Sequence, residues 1–178
     1  MAIPTRHSVS DEIVSGLRTF FVTSATLGHR RLLQSERMAR LLIDALYHYR
    51  GQGKYRLHEF VVMPDHFHAL LSVGSTMTVE RAMQLIKGGS SYCAGKEFGV
   101  RNLWQRGFSE VRIIKADEYV ARVEYIRGNP IRARLAECAE EYVYCSAYPG
   151  YEVDPSPFAG AKALARGAAS GGTTEVMR

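Results

Sequence analysis

The sequence lacks the features that mark membrane and secreted proteins. None of its apolar runs approaches the roughly 20 residues that a membrane-spanning helix needs. Residues 1–10 contain no apolar segment of the kind found in a secretory signal. The three cysteines (Cys93, Cys138 and Cys145) are an odd number without metal-ligand spacing. We therefore expect a protein without disulfides in the reducing environment of the cytoplasm.

Acidic residues are fewer than basic ones, and the imbalance is local. The formal net charge is +5, and 18 of the 23 basic residues are arginine. Residues 101–134 hold 8 basic against 4 acidic side chains, whereas residues 135–178 hold 3 against 6. Because the arginine fork matches phosphate geometry, this pattern favours a polyanionic partner. A solvated basic surface without a partner is the alternative. No Gly-rich loop ending in Lys and Ser or Thr is present, so an ATP site of that type is not expected.

Length and composition indicate one globular domain with short extensions. The chain has 178 residues, of which 46% are hydrophobic and 23% are charged. Residues 1–16 are interpreted as an N-terminal extension, and residues 17–152 as the folded domain. From residue 153 the chain is rich in Pro, Gly, Ala and Ser, which predicts a flexible tail over residues 153–178.

The periodicity of apolar residues predicts four extended segments and three helices. Strands are expected over residues 17–26, 55–63 and 66–73, with shorter extended pieces within 103–114. Helices are expected over residues 35–49, 78–93 and 117–129, with a loop at 95–99 and a stop at Pro130. This order predicts an α+β fold with a ferredoxin-like antiparallel sheet, helices on one face, and an added helix.

His66 and His68 are the first candidate site residues. On a strand, side chains two residues apart point to the same face, so both imidazoles would lie together while Phe67 enters the core. Such a pair can present two nitrogen ligands to one divalent ion. Two hydrogen-bonded histidines without a metal are the alternative. A metallo-β-lactamase-like site is less well supported, since Ala69 and Leu70 stand where that site continues with Asp and His.

The third predicted helix supplies candidate partners. Tyr125 and Asn129 are four residues apart and therefore share one helix face, and Arg122 lies on the same side. The plainer interpretation is a half-buried tyrosine and an asparagine that caps the helix end. Tyr119 lies six residues before Tyr125, about 120° around the helix, so the two tyrosines are not expected to face the same site.

Taken together, three motifs resemble a known family, the single-tyrosine HUH transposases, in which HUH denotes His-hydrophobic-His. The sequence is most similar to the REP-associated tyrosine transposases. The motifs are Met63-Pro64-Asp65-His66-Phe67-His68, then Leu103-Trp104-Gln105-Arg106-Gly107-Phe108, then the stretch from Val123 to Arg132 with Tyr125 and Asn129. Their order and spacing agree over roughly residues 17–148.

The resemblance implies that Tyr125 is the nucleophile and that His66, His68 and Asn129 bind a divalent metal, Mg²⁺ or Mn²⁺. Judged by donor chemistry alone, histidine ligands suit Mn²⁺ or Zn²⁺ better than Mg²⁺. The implied activity is cleavage and rejoining of single-stranded DNA at hairpin sites through a 5′-phosphotyrosine intermediate. Relatives act as monomers or homodimers, and the sequence does not choose between the two.

Six residues are candidate DNA contacts, five of them as phosphate ligands and one, Trp104, as a stacking surface. They are Lys87, Trp104, Arg106, Arg112, Arg127 and Arg132. Two further functions are open at this point. The protein can be a hairpin-DNA binder without catalysis, or a small metal-dependent hydrolase of another substrate that does not use Tyr125.

Overall fold

The structure is a computed structural model, and it describes residues 16–158. Seven main elements follow in chain order: β1 (Arg18–Ala25), α1 (Glu36–Gly51), β2 (Arg56–Val62), β3 (His66–Val73), α2 (Val79–Phe98), β4 (Ser109–Ile113) and α3 (Ala116–Arg132). Short 3₁₀ turns occupy Leu27–His29, Leu32–Gln34 and Ala139–Glu141. Within the range that the structure describes, no helix has the length and apolarity to cross a membrane.

The four strands form one antiparallel sheet in the order β2-β3-β1-β4. The first six elements therefore alternate as β1-α1-β2-β3-α2-β4, the ferredoxin-like order that the sequence predicted, and α3 is the added helix. The two central strands, β1 and β3, are covered on both faces. This is why β3 is buried almost throughout its length.

Each face of the sheet has its own hydrophobic core. On one face, α1 and α2 pack over Phe60, Phe67 and Leu71, among other residues. On the opposite face, α3 packs over Phe21, Leu70 and neighbouring side chains through its buried stripe. Because side chains alternate along β3, His66 and His68 share the face of Leu70, which is the face that α3 covers. The α+β fold class is confirmed, with the added helix on the face opposite α1 and α2.

Polar caps begin two of the helices, at the predicted starting residues 35 and 78. The Ser35 hydroxyl accepts a hydrogen bond from the Met38 amide, and the Thr78 hydroxyl accepts one from the Arg81 amide. The predicted loop at 95–99 is wrong, because α2 continues to Phe98. The chain leaves the helix at Gly99, whose φ of 66° is the left-handed conformation in which a helix commonly ends.

The predicted stop of the third helix at Pro130 is also wrong. Pro130 lies inside α3, which continues to Arg132. A proline lacks the amide hydrogen that would donate to the carbonyl four residues earlier, and its ring crowds that carbonyl. Pro130 stands in the last turn of α3 and is buried, so its packing against the core offsets that cost. The extra residues carry Arg132 onto the helix that bears Tyr125.

Residues 153–158, which the sequence assigned to the start of a flexible tail, pack against the domain. The amide of Asp154 donates to the Leu57 carbonyl at 2.7 Å, and its carboxylate accepts from the Leu57 amide at 2.7 Å. Arg50 donates two hydrogen bonds to the same carboxylate, from Nε at 2.9 Å and from Nη2 at 3.0 Å. Phe158 is buried in the core below α3. The remainder of the predicted tail and nearly all of the predicted N-terminal extension lie outside the described residues.

The Asp154 anchor predicts an acid-sensitive contribution to stability. Burial acts to raise the pKa of Asp154, but its bonds to Arg50 and to the Leu57 amide outweigh burial and lower that pKa. The stabilisation is therefore present above the unfolded-state pKa of about 3.9 and is lost as the pH falls through the lower folded-state value. We expect Asp154→Asn to reduce the free energy of unfolding by about 1–3 kcal/mol at pH 7. Urea unfolding should show this difference shrinking towards pH 3.

The matched control is Glu152→Gln, which removes an exposed carboxylate two residues away. Its free energy of unfolding should follow that of the unmodified protein at both pH values. An Asp154→Asn deficit that stays constant between pH 7 and pH 3 would show that the carboxylate charge is not what anchors this segment.

Candidate active site

His66 and His68 lie side by side at the beginning of β3. Their ring centroids are 4.8 Å apart. In the register of the sheet, His68 stands opposite Thr23 and His66 stands opposite Ala25, both near the end of β1. The geometry expected from a two-residue strand repeat is therefore present, with both imidazoles on the face covered by α3.

The Nδ1 atoms of both imidazoles are held by neighbouring oxygens. His68 Nδ1 is 2.7 Å from the Thr23 hydroxyl, and His66 Nδ1 is 2.7 Å from Asp65 Oδ1. The other oxygen of Asp65 lies 3.2 Å from His29 Nδ1. Burial acts to raise the pKa of Asp65, but the bonds and charges of His66 and His29 outweigh it and lower that pKa. Such partners fix the ring orientation and direct Nε2 towards a ligand.

His68 is buried in a way that keeps it neutral. Only 5% of its surface is exposed. Burial, reinforced by the positive charges of His66, Arg132 and Arg122, lowers its pKa to about 3. Its Nε2 has no hydrogen-bond partner among residues 16–158. In the tautomer that donates from Nδ1 to the Thr23 hydroxyl, the lone pair lies on Nε2, and a neutral imidazole of that form can bind a metal ion.

Tyr125 reaches this pair from α3. Its ring centroid lies 5.3 Å from that of His68, in an edge-on arrangement. Phe21 on β1 stacks on His68 at 5.3 Å and meets the Tyr125 ring edge-on at 5.7 Å. The phenol is 40% exposed, so it is open to a ligand from solvent. The predicted proximity of Tyr125 to the histidines is present in the structure.

Two polar side chains from the last turn of α3 converge on the backbone of Tyr125. Asn129 Nδ2 donates to the Tyr125 carbonyl at 2.8 Å, and Arg132 Nη2 donates to the same carbonyl at 2.9 Å. The Arg132 guanidinium also lies over the phenol ring, 4.8 Å from its centroid. The Asn129 bond uses the amide nitrogen, so it does not occupy Oδ1, the atom that suits a metal ion.

These residues fit a divalent cation. Within the described residues, no three side chains of the His, Cys, Asp and Glu types converge on one point. The two oriented imidazoles are candidate ligands, and the Asn129 amide oxygen, one turn of helix from Tyr125, is the candidate third. Nitrogen with neutral oxygen is a combination that manganese and zinc accept readily. The buried Nε2 of His68 is the atom that most needs such a partner.

Tyr119 occupies a different environment from Tyr125. Its ring is buried between Phe158, at 5.6 Å, and His58, at 5.9 Å. Burial raises the pKa of its hydroxyl. The expected separation of the two tyrosines around α3 is therefore observed, and Tyr119 belongs to the core.

Two of the six residues predicted to contact DNA are engaged within the fold. Trp104 donates from Nε1 to the Ser90 hydroxyl at 2.9 Å, and its ring packs on Phe67 at 5.4 Å. This places the indole on the face of α1 and α2, away from Tyr125. Lys87 donates from Nζ to the carbonyls of Gln105 and Gly107, which fastens the loop before β4 to α2. Both side chains have partners within the fold, and their assignment as DNA contacts stays a prediction.

Arg127 also has a partner within the fold, and its assignment as a DNA contact stays a prediction. Its Nε contacts the carboxylate of Glu59, which is only 2% exposed, while the Arg127 side chain is 45% exposed. Burial raises the pKa of Glu59, and the charge of Arg127 opposes that rise. Arg127 therefore neutralises a buried acid below α3. Arg106 and Arg112 are exposed, in the loop before β4 and on β4, and their assignment as DNA contacts stays a prediction.

Comparison with known proteins gives the family. Residues 20–129 match the family described as "Transposase IS200 like", a span of more than half the chain that contains His66, His68, Tyr125 and Asn129. The chain belongs to the IS200-like transposases. The resemblance drawn from the motifs is confirmed by this match. One curated relative, an uncharacterised protein of Haemophilus influenzae, is 26% identical over 98 residues, which cover 43% of this chain and 54% of that protein. The chain thus spans about half the length of this relative.

Two solved structures share the fold of this IS200-like chain. One is a REP-associated tyrosine transposase bound to a REP hairpin, with 19% identity, a TM-score of 0.63, and coverage of 87% of this chain and 93% of that one. The other comes from Deinococcus radiodurans R1 and is described as a candidate transposase. It has 20% identity, a TM-score of 0.50, and coverage of 71% of this chain and 95% of that one.

Sequence reasoning missed three residues that hold the site together. Thr23 and Phe21 reach His68 only because β1 pairs with β3 in one particular register. No local sequence pattern predicts that register. Asp65 was included only as a member of the motif from Met63 to His68, with no role of its own. Its position directly before His66 was the available signal, since a carboxylate next to an imidazole commonly orients it.

Proposed function

We propose that this chain is a metal-dependent transposase that cleaves and rejoins single-stranded DNA at hairpin sites through a 5′-phosphotyrosine intermediate. One observation carries the proposal. The phenol of Tyr125 is exposed, yet its ring lies against that of His68, whose Nε2 is oriented, neutral and without a partner among the described residues. The proposed nucleophile and a proposed metal ligand, on two elements distant in sequence, are therefore in ring contact.

In the proposed reaction, Tyr125 Oη attacks the phosphorus of the scissile phosphodiester. The bond from Oη to phosphorus forms, the bond from phosphorus to the 3′ oxygen breaks, the phenolic proton passes to solvent, and the leaving 3′ oxygen takes a proton from solvent. His66, His68 and Asn129 would hold a divalent ion, which would supply polarisation of the phosphate for attack by a phenol, a weak nucleophile. Because the phosphotyrosine link conserves the ester, a later 3′ hydroxyl can reverse it without ATP.

The chain's own residues supply orientation and charge. Thr23 and Asp65 hold the two imidazoles, and Phe21 packs against both His68 and Tyr125. Arg106 and Arg112 remain as proposed phosphate contacts near the loop before β4. Hairpin DNA is the proposed ligand because the REP-associated transposase of similar fold is bound to a hairpin.

A covalent-adduct assay tests the proposal. The probe is an oligonucleotide that carries the inverted repeat nearest the coding region, with single-stranded flanks. It is prepared in two forms, one labelled at its 5′ end and the other labelled at its 3′ end. With Mn²⁺, we expect a denaturation-resistant protein–DNA band that retains the label on the 3′ side of the cut. Tight hairpin binding without any adduct in Mn²⁺ or Mg²⁺ would instead identify a binding protein that lacks catalysis.

The orientation of His66 by Asp65 makes a further prediction. Asp65→Ala leaves Nδ1 of His66 without its partner, and loss of such a partner typically costs 10–100-fold in metal affinity. We expect a weakening of this size for Mn²⁺, measured by isothermal titration calorimetry without DNA. Asp44→Ala removes an exposed carboxylate from α1 on the other face of the sheet and is the control. Equal Mn²⁺ affinities for the two variants would count against Asp65 as an orienting group.

A further inference from the structure

We propose that Gly128 and Arg132 form a positioning pair for Tyr125: the missing side chain at Gly128 lets the Arg132 guanidinium lie against the phenol and fix its direction. The inference rests on the proposed function, in which Tyr125 is the nucleophile. It assigns Arg132, predicted from sequence as a DNA contact, to a role that acts through Tyr125.

Arg132 reaches Tyr125 along the surface of α3. Side chains on a helix lean towards its N-terminus, so Arg132 passes over the residue four positions earlier, which is Gly128. The guanidinium ends two turns back, with Nη2 at 2.9 Å from the Tyr125 carbonyl and Cζ at 4.8 Å from the phenol centroid. One side chain therefore holds both the backbone and the ring of the same residue.

Gly128 has no backbone reason to be glycine. It lies in the interior of α3 and is not among the glycines with positive φ. Glycine at an interior helix position is less favourable than alanine. A Cβ built at this position would lie 2.5 Å from Arg132 Nη1 and 3.3 Å from Cζ. The space that Gly128 leaves is thus filled by the Arg132 guanidinium.

The clash that a Cβ would create is relieved most easily by moving Arg132. The nearest atoms to the added Cβ are at the far end of a flexible side chain, not in the backbone. Gly128→Ala should therefore preserve the helix while expelling the guanidinium from Tyr125. Tyr125, which is 40% exposed, would then keep Phe21 and His68 as its ring neighbours among residues 16–158.

A fixed phenol matters because the attacking oxygen must be aligned with the phosphorus. Misplacement of a reacting group by about 1 Å can cost about 100-fold in rate. We expect Gly128→Ala and Arg132→Ala each to lower the single-turnover cleavage rate at saturating oligonucleotide by about 10–100-fold. The dissociation constant for the same oligonucleotide should stay within one order of magnitude. The double variant should cleave no more slowly than the slower single variant, because both changes remove the same contact between Arg132 and Tyr125.

Gly88→Ala is the matched control. Gly88 is an exposed glycine inside α2, and a Cβ there would meet nothing within 4 Å. Gly88→Ala and Gly128→Ala should both unfold at the same temperature as the unmodified protein or higher. Only Gly128→Ala should lose cleavage rate.

A spectroscopic readout separates positioning from activity. The protein is labelled with 3-fluorotyrosine, and the Tyr125 fluorine signal is assigned by its disappearance in Tyr125→Phe. We expect this signal to move towards that of free fluorotyrosine in Gly128→Ala, Arg132→Ala and Arg132→Lys, and to stay in place in Gly88→Ala. Lysine keeps the charge but has no planar fork to hold the carbonyl and the ring together.

Three results would overturn the positioning pair. The first is an unchanged Tyr125 signal and cleavage rate in Gly128→Ala. The second is a loss in Arg132→Ala that lies entirely in DNA affinity, with a smaller salt dependence and a normal rate at saturation, which identifies a phosphate contact. The third is a normal rate and signal in Arg132→Lys. If the fluorine signals shift as expected but the unmodified protein forms no adduct, the proposed function fails and the positioning pair stands.

Discussion

Tyr125→Phe should abolish the covalent protein–DNA adduct completely. Phenylalanine retains the ring that packs on Phe21 and His68, so the local structure should be preserved. It lacks the oxygen that would attack phosphorus, and no other group can then form the phosphotyrosine link. The measurement is the denaturation-resistant band formed with the labelled oligonucleotide and Mn²⁺, with circular dichroism as the check on folding.

Two tyrosines serve as controls for this result. Tyr119→Phe removes a buried hydroxyl that hydrogen-bonds near Ser156, and should cost about 0.5–1.5 kcal/mol of stability while leaving adduct formation intact. Tyr92→Phe changes a tyrosine that is 67% exposed on α2 and should affect neither property. An adduct that persists in Tyr125→Phe and disappears in Tyr119→Phe would identify Tyr119, on another side of α3, as the nucleophile. Persistence of cleavage without any adduct would favour a hydrolase.

Arg127→Ala should destabilise the fold rather than only weaken DNA binding. The change leaves the Glu59 carboxylate, which is 2% exposed, without the cation that neutralises it. Breaking a buried ion pair from one side typically costs 3–5 kcal/mol. Because the Arg127 side chain is itself 45% exposed and water reaches it, we expect the lower end, about 3 kcal/mol, in urea unfolding at pH 7.

The double variant Arg127→Ala/Glu59→Gln tests the cause. An uncharged amide at position 59 no longer needs a cation, so the double variant should recover part of the stability that Arg127→Ala loses. Arg106→Ala removes an exposed arginine and should change the free energy of unfolding by less than about 0.5 kcal/mol. If Arg127→Ala is as stable as Arg106→Ala but binds DNA with a smaller salt dependence, Arg127 is the phosphate contact that the sequence suggested.

The elements that follow from short-range patterns were predictable. β1, β3 and α1 lie close to the expected ranges, since the two-residue and 3.6-residue periods that define them are written in neighbouring residues. The predicted helix ends failed at Gly95 and Pro130. Glycine and proline lower the probability of a helix locally, but the packing of α2 and α3 on the sheet outweighs that cost.

The candidate site also combines features that short-range patterns predict with features that only the packing of the elements sets. The common face of His66 and His68, and that of Tyr125 and Asn129, each follow from the period of a single element. That the two faces meet depends on α3 crossing the sheet on the side opposite α1 and α2, which the family motifs implied but no local pattern shows. The contacts of Lys87, Trp104 and Arg127 inside the fold could not be predicted. Nothing in the local sequence distinguishes a basic or aromatic residue that faces DNA from one that contacts a buried partner.

The sequence by itself determined the order of elements, the pairs of side chains that share a face, and the family. The tertiary structure decided which groups meet across elements: Thr23 with His68, Glu59 with Arg127, and Arg132 with Tyr125 past Gly128. The physical reason is one of range. Backbone periodicity is set within a few residues, whereas these contacts depend on strand register and helix docking, which arise only when the whole core packs.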